Sequence, residues 1–177
     1  MNNHNLTWHK SRILGVAYLE FIKIEIENNR PNSKFCLATV TLKQGLRTYG
    51  LFQSLNCQTV TRVVSEFLHK LNRKVFKNAY RRYGKRLVCI PSIETSINDR
   101  LHVHMVLEIP QYMTFEDFIK YVDTIWDKNP WAMPEKEIIE MMTKSDQSTS
   151  TKYLLKDSWK DVDIIDVENL YLGRTIH

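Results

Sequence analysis

The chain opens its legible patterning at Phe35–Leu42 (FCLATVTL), an apolar run rich in β-branched residues and closed by Lys43-Gln44-Gly45. Such a run predicts a buried strand. Across residues 57–83, apolar positions recur at Val60, Val63, Val64, Phe67, Leu68, Leu71, Val75, Ala79 and Tyr80. That spacing predicts one long helix, with Gly84 as its stop signal. Leu87–Glu94 reads as a strand, Ile97-Asn98-Asp99 as a turn, and Arg100–Ile109 as a second strand ended by Pro110. So short a connection makes the pair an antiparallel hairpin. Thr114, followed by Asp117 three residues on, caps a helix through Phe118, Val122, Ile125 and Trp126. Glu137–Thr143 is a weaker strand, Thr151–Trp159 a short helix, and Val162–Leu172 a last strand with its turn. Ile13–Glu27 fits helix or strand equally. The expected fold is α+β: a central antiparallel sheet of about five strands with helices packed on it.

Composition narrows the class. A chain of 177 residues with 43% hydrophobic and 25% charged content suits one domain, 1–177, with a real core, and excludes a disordered chain. The best apolar run, Ile13–Ile24, is interrupted by Glu20 and Lys23, so no membrane span is expected. The first ten residues lack the layout of a secretion signal, and three scattered cysteines form no CxxC, which together predict a reducing compartment.

Charge is concentrated. Between Lys70 and Arg86 stand eight basic residues and no acid, leaving 17 basic against 20 acidic residues elsewhere. A basic segment on a near-neutral body is the footprint of a polyanion binder, although a solvated helix face has the same composition. Arg73, Lys77 and Arg81 recur at i, i+4 and i+8, so on a continuous helix they share a face, with Arg82 and Lys85 beside them.

The sharpest chemical feature is Leu101-His102-Val103-His104-Met105. Alternate strand residues face the same way, so His102 and His104 project together, as two polar histidines on a wet face or as half of a metal site. A three-residue hairpin loop pairs Thr95 with Leu101 and Glu94 with His102, adding a carboxylate on that face. One residue more or less in the loop would turn Glu94 away. A Glu-His-His set suits Mg²⁺ or Mn²⁺. Downstream, Tyr153 and Lys156 are i, i+3 neighbours on the predicted helix TKYLLKDSW, with Lys160 on the same side. Alone, this is a surface tyrosine on an amphipathic helix. A nearby ammonium would nevertheless favour the phenolate of a group whose ordinary pKa is about 10.

In this order, the acidic residue, the His-apolar-His strand (LHVHMV) and the Tyr-x-x-Lys helix (KYLLKD) resemble the HUH endonuclease superfamily. Within it, the chain looks most like the single-tyrosine rolling-circle replication initiators, or Rep proteins, of small viruses, phages and plasmids. The resemblance spans residues 35 to about 157 and implies an RRM/ferredoxin-like fold. It implies nicking and rejoining of single-stranded DNA at an origin or hairpin through a 5′-phosphotyrosine at Tyr153. Lys156 would assist, Mg²⁺ or Mn²⁺ would be bound by Glu94, His102 and His104, and the cytoplasm or a host nucleus would be the compartment. Asp99 is a second candidate for the acidic ligand. DNA would lie on Arg73, Lys77, Arg81, Arg82 and Lys85, with Tyr80 and Tyr83 available for stacking. The sequence has no GxxxxGK[ST], so a separate or host helicase, with a polymerase, is expected as partner.

Departures separate this chain from relatives of that superfamily. Asp157 stands four residues after Tyr153, so only one tyrosine is available, and Tyr153 follows the histidines where relaxases place it before them. A single-tyrosine transposase shares the motif order. Two readings outside that chemistry also fit: a non-catalytic nucleic-acid-binding module, and a structural-metal protein that ignores DNA.

Overall fold

A computed structural model describes residues 32–95, 100–133, 138–142 and 164–173. The segments expected at Ile13–Glu27 and Thr151–Trp159, the hairpin loop with Asp99, and therefore Tyr153, Lys156 and Lys160 lie outside the described residues.

The expected strand becomes β1 (Lys34–Thr41). It is followed by a hairpin of β2 (Gly45–Thr48) and β3 (Leu51–Ser54) that the apolar pattern does not announce. Tyr49 and Gly50 join these strands, both with positive φ (51° and 80°). That is the backbone of a primed two-residue turn, where Gly50 supplies freedom and Tyr49 accepts strain. The hairpin carries little apolar alternation because most of it is exposed, including Tyr49, Leu51 and Phe52.

Helix α1 (Cys57–Phe76) starts at Asn56, whose side chain accepts from the Thr59 N–H at 2.8 Å. It buries Val60, Val63, Val64, Phe67, Leu68, Leu71 and Val75, the predicted stripe. The helix does not continue to Gly84. At Lys77 φ is 49°, and a separate short helix α2 (Asn78–Tyr83) follows, ended by left-handed Gly84. Apolar spacing survives across such a break, so periodicity alone cannot reveal it. A left-handed non-glycine residue costs on the order of 1–3 kcal/mol. The surrounding packing compensates: buried Asn72 accepts from the Leu87 N–H at 2.7 Å and donates to the Leu68 carbonyl at 2.8 Å, tying α1 to the returning chain. One consequence is a correction: Arg73, Lys77 and Arg81 do not share the face of one helix.

Strands β4 (Cys89–Thr95) and β5 (Leu101–Ile109) form the predicted hairpin. Helix α3 (Phe115–Trp126) follows, capped as expected by Thr114, which accepts from the Asp117 N–H. The described chain closes with β6 (Ile138–Met141) and the two-residue β7 (Ile164–Ile165). The main sheet runs β6-β1-β5-β4-β7, antiparallel throughout. Without β2, β3 and β7, the path β1-α1-β4-β5-α3-β6 with that strand order is the split βαββαβ arrangement of ferredoxin-like folds. The fold is thus α+β, with a five-stranded antiparallel sheet and a separate two-stranded one.

Both long helices cover one face of the sheet. Cys36, Ala38 and Val40 of β1 and Val103, Met105 and Leu107 of β5 meet Phe67, Leu71, Phe118 and Trp126 there. Phe67 and Trp126 touch edge to face at 5.4 Å. Trp126 and Trp131 are buried packing groups, whereas of the adjacent Met141 and Met142 the first is half exposed and the second buried. The opposite face has two parts. A small apolar cluster of Phe35, Val88, Ile90, Val106 and Met142 covers one end, and polar residues occupy the other. Among the described residues, no helix is long and apolar enough to cross a membrane.

Candidate metal centre

The polar end of the helix-free face is built by strand register. Across β4, β5 and β1, Glu94 pairs with His102 and His102 with Thr41; one row further, Ser92 pairs with His104 and His104 with Thr39. Because directly paired residues share a face, these side chains stand in two adjacent rows. The register is the one that a three-residue hairpin loop predicts, and it puts Glu94 beside both histidines.

The ring nitrogens converge on one carboxylate oxygen. Oε2 of Glu94 lies 2.8 Å from Nε2 of His102 and 2.5 Å from Nε2 of His104. The three ligand-capable atoms fall within 4.8 Å of one another. The imidazoles stand nearly perpendicular, centroids 5.0 Å apart, and each of the three side chains is about one-fifth exposed (18–21%). The group is therefore walled by the sheet yet open to a ligand from solvent.

The opposite ring nitrogens test whether the residues fit a metal. Nδ1 of His104 lies 2.9 Å from Oγ1 of Thr39, and Nδ1 of His102 lies 3.4 Å from the Arg100 carbonyl. A carbonyl only accepts, so the Arg100 contact requires the proton on Nδ1 of His102. A divalent ion bound at Nε2 would take the place of the proton in the Nε2–Oε2 hydrogen bond, while Nδ1 keeps its own. Thr39 can accept likewise from His104. Nδ1 held by an oxygen, with Nε2 turned to the ligand cluster, is the arrangement of metal-ligating histidines, and here both Nε2 atoms meet the Glu94 carboxylate. Two such nitrogens and a carboxylate fit a divalent ion, with room for water or substrate in the remaining positions.

Gln44 braces the site from outside. Its side-chain carbonyl accepts from the Leu101 N–H at 2.9 Å and its amide donates to the Leu101 carbonyl at 3.1 Å. This fixes the residue before His102 and the root of the β2–β3 hairpin together. Neither Thr39 nor Gln44 is legible as a site residue in the sequence, because each acts through the β1–β5 pairing or a contact across 57 residues. The only available signal for Thr39 is its place in the alternation Leu37, Thr39, Thr41, opposite to Ala38 and Val40.

The other expected residues are not gathered here. The eight basic residues of 70–86 are all exposed, and the segment enters β4 at Cys89, whereas Glu94 stands next to last in that strand. Five residues of strand separate the two positions, about 17 Å along the sheet. Tyr80 packs against His69, with its hydroxyl 2.9 Å from Nδ1, and lies 5.8 Å below the Arg86 guanidinium, while Tyr83 is exposed. His69 is thus a surface packing group. Buried Cys36 and Cys89 have their thiol pKa values pushed up by burial, to about 12 for Cys36, and sit within the sheet away from this chemistry.

Comparison of the chain with protein-family models, curated proteins and solved structures gives no significant match.

Proposed function

We propose that the chain is a metal-dependent endonuclease and strand-transfer enzyme of single-stranded DNA, acting through Tyr153 in the manner of a rolling-circle replication initiator. The observation that carries the reading is the convergence of Glu94, His102 and His104 on one face through the β4–β5 register. The motif order that places Tyr153 and Lys156 downstream supports it. A divalent ion, Mn²⁺ or Mg²⁺, held by those three side chains would supply electrophilic polarisation of the scissile phosphate.

The protein's own groups perform the transfer. The Tyr153 phenolate attacks phosphorus in line, forming a Tyr–O–P bond as the P–O3′ bond breaks. The departing 3′ oxygen takes up a proton and becomes a hydroxyl able to prime synthesis by a polymerase. Lys156 stabilises the phenolate before attack. Attack of a 3′-hydroxyl on the phosphotyrosine reverses the step and rejoins a strand without a further energy source. Thr39 keeps the His104 ring oriented, and the sheet fixes both histidines before substrate arrives.

The test incubates labelled single-stranded oligonucleotides from the surrounding replicon with protein and Mn²⁺, then separates products on a denaturing gel. A protein–DNA band that resists denaturation, needs metal and vanishes in Tyr153→Phe is the expected result. Normal nicking by Tyr153→Phe would refute the nucleophile, and binding without any adduct would favour a non-catalytic module.

A further inference from the structure

A groove lies beside the basic segment, toward the Cys89 end of β4. The break at Lys77 bends the chain away from α1, and the start of α3 approaches from the other side, leaving an open groove of about 540 Å³ between them. Four lysines line it: Lys74, Lys77 and Lys85 from the α1–α2 region and Lys120 from α3. Asp117 is the carboxylate among the lining residues, and it already faces Lys120 at 3.4 Å. Among the described residues, Lys74, Lys77 and Lys85 pair with no carboxylate. Lys74 and Lys85 instead lie over the rings of Tyr121 (5.0 Å) and Phe76 (5.2 Å). Those contacts set the ammonium groups over ring faces, which attract a cation without cancelling its charge.

Aromatic surface completes the groove. Tyr112 donates its hydroxyl to the Val75 carbonyl at 2.9 Å, joining the β5–α3 connection to α1 while its ring stays largely exposed. Tyr121 stands on the same lining. Several ammonium groups with no carboxylate partner among the described residues, beside tethered rings, are what single-stranded nucleic acid asks of a protein: charge for phosphates and flat surface for bases. A duplex backbone would use the lysines and leave the rings idle.

We propose that this groove is an anchor for single-stranded DNA, separate from the Glu94–His102–His104 centre and independent of metal. It lies with the basic segment, at the opposite end of β4 from Glu94, so a strand held here engages the protein at a distance from the triad. The inference does not need the nuclease reading, because it concerns a contact made without the metal centre.

The experiment measures binding of a fluorescein-labelled oligonucleotide of about 16 nucleotides to the full chain by anisotropy. EDTA is present, and salt is varied between about 50 and 200 mM. A Lys74→Glu/Lys85→Glu pair is compared with Arg47→Glu/Lys128→Glu, which makes the same charge change at exposed positions outside the groove. Lys77→Gln/Lys120→Gln repeats the groove test more gently if the first pair folds poorly. The groove pairs are expected to lose about tenfold in affinity at low salt and to flatten the logarithmic salt slope by about 1.4, the loss of two phosphate contacts. The outside pair should lose much less. Equal losses in groove and outside pairs, or no loss in either groove pair, would overturn the assignment. So would displacement of the oligonucleotide by equimolar dAMP, which would mark a mononucleotide pocket. Since metal is chelated throughout, failure of the nicking assay leaves this result intact.

Discussion

Thr39→Val isolates the least obvious member of the proposed metal centre. Valine keeps the branched shape that a strand favours and removes only the hydroxyl 2.9 Å from Nδ1 of His104. All three ligands stay in place, but His104 loses the partner that fixes its ring and tautomer. Partners of this kind are typically worth 10–100-fold in metal affinity, or about 1.4–2.7 kcal/mol. At a fixed metal concentration above both dissociation constants, metal-induced stabilisation shrinks by the same free energy, because only the folded state assembles the site. For a domain of this size, the metal-dependent rise in Tm should be smaller by about 3–10 °C. Without metal, the variant should melt close to the parent, since Thr39 is only half buried on a strand suited to valine. Titration with Mn²⁺, by calorimetry and by thermal melts of parent and variant, reads both quantities. Affinity within twofold of the parent would refute the orientation argument. A metal-free variant already destabilised by more than about 1 kcal/mol would make the loss structural rather than local.

Four further outcomes follow from the same structure. His104→Ala removes a ligand outright and should weaken Mn²⁺ binding by more than Thr39→Val does, while DNA binding in EDTA stays at the parent level; calorimetry and anisotropy check the pair. Asn72→Ala strands the buried Leu87 N–H, so urea unfolding should show a loss of about 1–3 kcal/mol. Cys36 and Cys89 are buried and their thiols resist ionisation, so iodoacetamide at pH 8 should modify only Cys57 in the native protein and all three cysteines in denaturant, as counted by mass spectrometry. Because an unfolded thiol releases its proton near pH 9 and these two do not, stability should fall as pH rises past that value. The slope is about 1.4 kcal/mol per pH unit for each thiol.

What could be read from the chain divides along physical lines. The β4–β5 hairpin, the Glu94–His102 register and the Thr114 cap depend on residues close in sequence, where a short loop fixes pairing and a hydroxyl marks a helix start. The β1–β5 pairing that brings Thr39 to His104 joins positions 65 apart, and no local pattern encodes it. The β2–β3 hairpin was invisible to hydrophobic alternation because it leaves apolar side chains in solvent. The stop at Lys77 was hidden for the opposite reason: the apolar stripe resumes after it. The same break undoes the expected alignment of Arg73, Lys77 and Arg81, and it is also what opens the lysine-lined groove.

Strand β5 is bonded along both edges, by β1 and by β4. Neither His102 nor His104 can therefore swing out by fraying of a sheet margin. Moving the backbone beneath either histidine requires two ladders to part at once. Amide protons at Val103 and Met105, between and beside the histidines, should then exchange with solvent only at the rate of whole-domain opening. A bound ion would slow that opening in proportion to its occupancy. Ion exchange from the folded centre, by contrast, must proceed through the one-fifth of the ligands that solvent reaches. The proposed centre would thus separate two clocks, a fast one for exchanging a cation and a slow one for dismantling the scaffold around it.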